Sequence, residues 1–182
     1  MVINTKMKIK ELFFEYPTKQ WHFEQLLEES ALSRGQTNYW LRKLIKEELI
    51  KRIKPKGKMP YHIARYDSPE YLSAKKVFAL EKLHSSGFLR HLLSLKEAEA
   101  VVIFGSIIRG DWHKDSDIDL FVYGNADNLE LGKYWIKLGK EIQFFGCKNE
   151  EELKKYSPAL LKNILKGYTI KGNFPIEVKA SA

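Results

Sequence analysis

The chain has 182 residues, of which 44% are hydrophobic and 13% aromatic, enough for one large domain or two small ones. No stretch approaches the roughly 18 consecutive apolar residues of a membrane span. The first residues lack the charged and then apolar pattern of a signal peptide. The single cysteine, Cys147, excludes an internal disulfide. These features exclude small proteins stabilised by disulfides and helical membrane proteins. They predict a soluble, cytoplasmic protein with no membrane partner.

The net charge of +8 is distributed unevenly along the chain. Residues 1–65 carry 14 Lys and Arg against 7 Asp and Glu, whereas residues 66–182 carry 17 against 16. An excess confined to one third of the chain favours a polyanionic partner for that part. The alternative is a solvated basic surface with no specific partner.

Residues 1–65 are predicted to form three helices and a basic hairpin. The first helix carries Ile9, Leu12, Phe13 and Tyr16 at helical spacing and ends before Pro17. The further elements are a short strand at 21–23, a helix from Phe23, a third helix capped by Ser33 and running to about Glu48, strands at 49–53 and 61–64, and a basic loop at 54–60. This order is typical of a winged helix-turn-helix domain.

The third helix and the basic loop of this domain are predicted to bind DNA. The apolar side of the helix is assigned to Tyr39, Trp40, Leu41, Leu44 and Ile45. Its polar side is predicted to present Arg34, Gln36, Thr37, Asn38, Arg42 and Lys43 to DNA. Of these, arginine, glutamine and asparagine are able to pair with base edges in the major groove. The loop supplies Lys54, Lys56 and Lys58 for phosphate contacts. Because winged helices also bind proteins and commonly work as dimers, a protein partner stays an alternative and a homodimer is expected.

The rest of the chain divides into a helical connector at 66–98 and a domain at 99–182 in which strands and helices alternate. The predicted elements of that domain are strand 100–104, a helix from about 106, strand 117–123, a helix at about 128–139, strand 141–147, a helix at about 149–166, and a last strand at 168–171. The chain as a whole is therefore assigned to the α+β class.

Two aspartates in the second of these strands carry the strongest chemical signal. Asp117 and Asp119 are separated by Ile118, so strand alternation places both carboxylates on one face. Neighbouring carboxylates repel each other unless a cation lies between them, and a hard divalent ion prefers oxygen ligands. Twelve residues earlier, a Gly105-Ser106 turn follows an apolar strand and leads into a helix, which is a typical phosphate-binding arrangement.

This segment resembles the minimal nucleotidyltransferase family of the DNA polymerase β-like superfamily. The resemblance is carried by Gly105, Ser106, Arg109, Gly110, Ser116, Asp117, Ile118, Asp119 and Leu120. It implies a mixed sheet flanked by helices, an NTP substrate and a Mg²⁺ or Mn²⁺ cofactor. It also implies that Asp117 and Asp119 bind the metal and are catalytic, and that Gly105, Ser106, Arg109 and Ser116 bind the nucleotide. Catalytic members usually add a third carboxylate on a neighbouring strand, for which Glu141 is the candidate.

The sequence supports two main hypotheses of function. In the first, the chain is an enzyme that transfers a nucleoside monophosphate from an NTP to an acceptor hydroxyl on a protein side chain, an RNA 3′ end or a small molecule. In the second, it is a winged-helix transcriptional regulator whose nucleotidyltransferase-like domain is catalytically silent and senses nucleotide or dimerises. A structural adaptor with neither site active is a third alternative.

Overall fold

A computed structural model describes residues 5–174. They divide into two compact units: the N-terminal unit extends to Val77 and includes Gly110–Asp115, and the C-terminal unit comprises Phe78–Arg109 and the chain from Ser116 onward. This division differs from the three predicted segments, because no separate connector is distinguished and a short loop from the later sequence joins the N-terminal unit. Between residues 5 and 174, no helix is long and apolar enough to cross a membrane.

The N-terminal unit begins with three helices followed by a two-stranded antiparallel hairpin. Its elements are α1 (Thr5–Glu15), α2 (Phe23–Ser30), α3 (Arg34–Lys46), β1 (Ile50–Ile53) and β2 (Tyr61–Ala64). The predicted strand at 21–23 is wrong: α2 already begins at Phe23, which leaves Trp21 to form a single antiparallel bridge to His62. The other predicted elements are present.

Helix α3 begins at the predicted cap and buries a narrower side than predicted. The Ser33 hydroxyl accepts a hydrogen bond from the Gln36 backbone N–H at 3.3 Å, an N-cap worth about 1 kcal/mol. The buried stripe consists of Thr37, Leu41 and Leu44, which are four and three residues apart. Tyr39 and Ile45 were assigned to the apolar side but are 59% and 38% exposed. At about 100° per residue, Tyr39 lies nearly opposite Thr37.

Two further helices span the predicted connector, α4 (Pro69–Ser85) and α5 (Phe88–Leu93). The boundary between the units falls inside α4, after Val77. Gly87, with a φ of +81°, forms the N-cap of α5, so the predicted break at this glycine is confirmed. Residues 66–98 are therefore helical as expected, but they contribute to both units.

The C-terminal unit is built on a four-stranded mixed sheet in the order β5-β4-β3-β6. Its strands are β3 (Ala98–Phe104), β4 (Ile118–Gly124), β5 (Ile142–Cys147) and β6 (Tyr168–Lys171). Strand β3 pairs antiparallel with β4 and β6, whereas β4 and β5 run parallel. Its other helices are α6 (Ser106–Arg109), α7 (Gly132–Leu138), α8 (Glu150–Leu153) and α9 (Pro158–Leu165). The prediction of a mixed sheet accompanied by helices is confirmed.

Several helices of this unit are shorter than predicted. The helix expected at 149–166 is two helices, because Ser157 caps a new helix whose first residue is Pro158, and proline in a helix interior removes a hydrogen bond. The helix expected at 128–139 begins only at Gly132. The helix after Gly105 is a single turn.

Strand β4 is buried on both faces over most of its length. On one face, Phe121 and Tyr123 join a hydrophobic cluster that includes Leu153 of α8 and Ile164 of α9. Ile118, Leu120 and Val122 on the other face are also buried, at 1% exposure or less. The acidic residues therefore lie at the start of β4, before the face they share with Phe121 becomes buried.

Candidate active site

The site is organised by a close contact between Asp119 and Gly105. Asp119 is the second residue of β4, where it pairs with Phe104 on β3 and with Gln143 on β5. Gly105 directly follows Phe104, so the sheet ladder itself brings the turn and the carboxylate together. A Cβ atom built on Gly105 would lie 1.8 Å from Oδ2 of Asp119, far inside any permitted contact.

This contact changes the reason why position 105 is a glycine. In a phosphate-binding turn, a glycine lets the backbone approach the phosphate because no Cβ is in the way. In the structure, Gly105 has a φ of +77°, and the space that a Cβ would fill is taken by the Asp119 carboxylate. Both features require glycine. Phosphate binding at this turn stays a prediction.

The charge around Asp119 is unbalanced toward the negative. Burial of this half-buried side chain raises its pKa above the usual value, and the neighbouring carboxylate of Asp117 raises the pKa further. The Arg109 guanidinium acts in the opposite direction. Asp117 lies immediately before β4 and is exposed. The pair therefore has electrostatic capacity for an additional cation.

The donor set of this pair is compatible with a magnesium ion. Magnesium is commonly held by one or two carboxylates, with substrate phosphates and water completing its coordination. Among residues 5–174, no group of three or more His, Cys, Asp and Glu side chains is placed to hold a metal. Asp117 and Asp119 thus fit an ion that is bound together with a nucleotide.

The third predicted carboxylate, Glu141, lies beside Asp117 in the sheet register. It is an exposed residue just before β5, and its carbonyl accepts a hydrogen bond of 2.9 Å from the backbone N–H of Ile118. The next residue on the same face of β5 is Gln143, which pairs with Asp119. The position directly beside Asp119 therefore carries an amide in place of a carboxylate. The assignment of Glu141 as a metal ligand stays a prediction.

The remaining predicted nucleotide-binding residues flank the same end of the sheet. Ser106 and Arg109 are the first and last residues of α6, and Ser116 precedes Asp117. The backbone carbonyl of Ser116 accepts a 3.3 Å hydrogen bond from Nζ of Lys140, a lysine only 7% exposed. Sequence reasoning missed both Gln143 and Lys140. Strand alternation from Glu141 could have identified Gln143, but no pattern distinguished Lys140 from a surface lysine.

Comparison with known protein families supports this interpretation of the C-terminal unit. Residues 86–175 match the family model of the nucleotidyltransferase domain. The matched residues include the Gly105 turn, Asp117 and Asp119, and the match supports nucleotidyl transfer as the general chemistry of this region. The match begins before the predicted boundary at residue 99, so α5 belongs to the matched region. A search of curated proteins found no significant match.

A cavity in the same unit lies away from these residues. It has a volume of about 330 Å³ and is lined by Gly124, Phe144 and Cys147, among other residues. Gly124 is the last residue of β4 and lies five positions after Asp119, a length of strand that spans roughly 16 Å. Gly105, Asp117 and Asp119 are not among the residues that line this cavity.

The predicted DNA-binding residues of α3 fall into three groups. Arg34 forms an ion pair with Glu24 at 2.6 Å, and the Gln36 side-chain oxygen accepts a hydrogen bond from the Ser33 backbone N–H at 3.1 Å. These two side chains thus have partners within the unit. The prediction for Thr37 was wrong, because this side chain is fully buried in the stripe with Leu41 and Leu44. Asn38, Arg42 and Lys43 line a groove of about 720 Å³ on the exposed side of α3, together with Gly35, Tyr39 and Lys46.

The groove adds three residues that sequence reasoning did not select, Gly35, Tyr39 and Lys46. Tyr39 was assigned to the core, because an aromatic residue near Leu41 fits an apolar stripe, yet it is exposed beside three cationic side chains. On the hairpin, Lys54, Lys56 and Lys58 are all exposed in the loop between β1 and β2. Both surfaces present positive charge to solvent.

Proposed function

We propose that the chain is a metal-dependent nucleotidyltransferase that transfers a nucleoside monophosphate from an NTP to an acceptor hydroxyl. In this reaction the acceptor oxygen forms a bond to the α-phosphorus, and the bond from that phosphorus to the bridging oxygen of the leaving pyrophosphate breaks. The observation that carries the proposal is the placement of the Asp119 carboxylate against the Gly105 turn. Two neighbouring charges affect the pKa of this carboxyl, which Asp117 raises and Arg109 lowers.

The proposal gives each of these residues a distinct task. Asp117 and Asp119 would hold Mg²⁺ or Mn²⁺, which when bound favours deprotonation of the acceptor hydroxyl and offsets the charge of the triphosphate. Pairing with both neighbouring strands fixes the backbone of Asp119. Arg109 would neutralise phosphate oxygens. Gly105, Ser106 and Ser116 would contact the nucleotide from the turn and from the start of the strand.

The experiment is a transfer assay with labelled ATP, CTP, GTP or UTP, magnesium or manganese, and cell extract as the source of acceptor. Asp117→Asn and Asp119→Asn preserve side-chain size but remove charge, and we expect each to lower transfer by about 100-fold or more. The matched control is Asp67→Asn, because Asp67 is exposed and belongs to the N-terminal unit. Transfer that persists in both site variants would contradict the proposal.

We further propose that the N-terminal unit is a winged helix that binds DNA as part of a homodimer. The groove on α3 supports this, because its lining combines Arg42, Lys43 and Lys46 with Asn38 and the exposed ring of Tyr39. Cationic and amide side chains on an exposed helix can pair with base edges and phosphates. The lysines of the hairpin loop would contact the phosphate backbone beside the groove.

The alternative is a transcriptional regulator whose nucleotidyltransferase domain is silent. The amide of Gln143 beside Asp119 favours this alternative, since a carboxylate in that position would have supplied a further metal ligand. A DNA-binding assay and the transfer assay together distinguish the two functions. Sequence-specific DNA binding with no transfer from any NTP would indicate the regulator, whereas transfer lost in the Asp117 and Asp119 variants indicates the enzyme.

A further inference from the structure

The loop between the two active-site motifs belongs to the N-terminal unit. The chain leaves the C-terminal unit after Arg109, the last residue of α6, and returns to it at Ser116, next to Asp117. The six residues Gly110–Asp115 in between pack within the N-terminal unit. Both ends of this loop are thus covalently joined to residues of the proposed nucleotide site.

Trp112 packs the loop into the N-terminal unit through its buried side chain. This side chain is 2% exposed, and its ring lies edge-on to that of Phe14 at a centroid distance of 6.3 Å. The Nζ atom of Lys75, a side chain also 2% exposed, lies 4.6 Å from the centroid of the Trp112 ring. An ammonium over an indole face is the strongest of the cation–π pairs, and burial strengthens it further.

The aromatic group that surrounds Trp112 is itself fixed. The rings of Phe14 and Tyr71 are 5.2 Å apart at an angle of 74°. The Tyr71 hydroxyl donates a 2.7 Å hydrogen bond to the backbone carbonyl of Phe13, and Nζ of Lys75 lies 5.5 Å from the Tyr71 ring. Trp112 therefore packs against side chains from α1 and α4 that have little freedom to move.

Two additional contacts restrain the loop on either side of Trp112. Gly110 has a φ of +88°, and a Cβ there would lie 3.1 Å from the carbonyl oxygen of Leu72 on α4. The backbone N–H of Lys114 donates a 3.1 Å hydrogen bond to the carbonyl of Glu15 at the end of α1. The loop is thus restrained near its beginning, its middle and its end.

We propose that Trp112 is a positioning residue, which fixes the placement of Arg109 and Asp117 by anchoring the loop that joins them. This proposal rests on the proposed function, because Arg109 and Asp117 are residues of that proposed site. Trp112 acts through the backbone of its loop, whose two ends continue directly into Arg109 and Ser116. Loss of the anchor would loosen both motifs while leaving each of their side chains in place.

The test compares Trp112→Leu with a matched core variant of the same unit, Leu26→Ala. Leu26 is fully buried in α2, so its truncation loosens the unit without touching the loop. Amide hydrogen exchange is followed in peptides that cover 105–109 and 116–119, a measurement that needs no nucleotide. We expect Trp112→Leu to speed exchange in these peptides by about tenfold or more, Trp112→Phe to restore most of the protection, and Leu26→Ala to leave it within about twofold.

Transfer kinetics provide a second measurement on the same variants. We expect kcat to fall by about tenfold or more for Trp112→Leu and to recover in Trp112→Phe, with Leu26→Ala unchanged under conditions where all variants are folded. Unaltered exchange in Trp112→Leu, or equal acceleration in Leu26→Ala, would overturn the positioning proposal. A wild-type chain without transfer activity would contradict the proposed function instead, and the exchange pattern alone would then decide the role of Trp112.

Discussion

The Asp119 carboxylate fills the space that a Cβ atom at Gly105 would need, since a Cβ built on this glycine would lie 1.8 Å from Oδ2 of the aspartate. Antiparallel pairing places Asp119 opposite Phe104, and the chain then turns at Gly105 directly beneath the carboxylate. The turn and the first residues of the acidic strand therefore pack directly against each other. A change in either residue is expected to affect the other.

Gly105→Ala is expected to abolish transfer activity. The new methyl group can be accommodated only if the Asp119 carboxylate moves, and alanine at a φ of +77° adds backbone strain of roughly 1 kcal/mol. The control is Gly87→Ala, where φ is +81° and no atom lies within 4 Å of the Cβ position. Transfer assays and thermal unfolding are carried out on both variants. Backbone strain affects both of them, whereas the collision with Asp119 affects only Gly105→Ala. Equal activity in the two variants would contradict the proposed role of the contact.

Glu141→Gln tests the predicted third metal ligand. If Glu141 binds the ion with Asp117 and Asp119, the variant should need about tenfold more magnesium for half-maximal transfer. Glu151→Gln, an exposed glutamate in α8, removes the same charge from the same unit and should leave the requirement unchanged. An unchanged magnesium dependence in Glu141→Gln would restrict the site to the two aspartates.

Arg42→Ala is expected to weaken DNA binding by about tenfold and to reduce its salt dependence. Arg42 lines the groove on α3, whereas Arg90 is an exposed arginine of α5 in the other unit. Arg90→Ala makes the same change in net charge and should have little effect. Fluorescence anisotropy with a labelled duplex over a series of salt concentrations measures both. Affinity that does not respond to salt would contradict DNA binding by this basic surface.

His62 should make the N-terminal unit less stable in mild acid. Burial lowers the pKa of this histidine below its usual 6.5, and the charge of Arg52 lowers it further. The folded unit therefore binds the proton more weakly than the unfolded chain. The stability that the neutral ring provides is present above pH 6.5 and is lost as the pH falls through the lower, folded pKa.

Urea unfolding between pH 7.5 and pH 5, followed by tryptophan fluorescence, to which the buried Trp21 contributes, measures this loss. His62→Gln should flatten the pH dependence of the unfolding free energy. His84→Gln, a change of an exposed histidine in α4, should retain it. A pH profile that is identical in wild type and His62→Gln would show that another group causes the acid sensitivity.

Cys147 is expected to react slowly with alkylating agents in the folded protein. Burial raises the pKa of its thiol to about 11, so at pH 8 only about one thiol in a thousand would be ionised. Iodoacetamide labelling followed by mass spectrometry should be fast in urea and slow in buffer. Rapid labelling of the native chain at pH 8 would contradict the burial of this side chain.

The sequence predicted most elements of both units, because their signals are local. Pro17, Ser33 and the alternation around Ile118 each mark a boundary or a face without reference to the rest of the chain. The pair Asp117 and Asp119 was recognisable for the same reason. Element lengths were less accurate where a break depended on a single residue, as at Pro158.

The features that sequence reasoning missed depend on residues distant in the chain. Tyr39 was assigned to the core because it lies among apolar residues at helical spacing, yet its side chain is exposed. Helical spacing alone does not identify which aromatic side chain lies outside the buried stripe. Gln143 became part of the site only through its parallel register with Asp119. The anchoring of Trp112 against Phe14 joins residues almost 100 positions apart, and no local pattern reports such a contact.

Binding of Mn²⁺ in the presence of an NTP, followed by electron paramagnetic resonance, tests the central claim most directly. The account predicts that wild-type protein binds the ion when nucleotide is present and that Asp119→Asn lowers the affinity by about 100-fold. Equal binding by the wild type and by Asp119→Asn would contradict it.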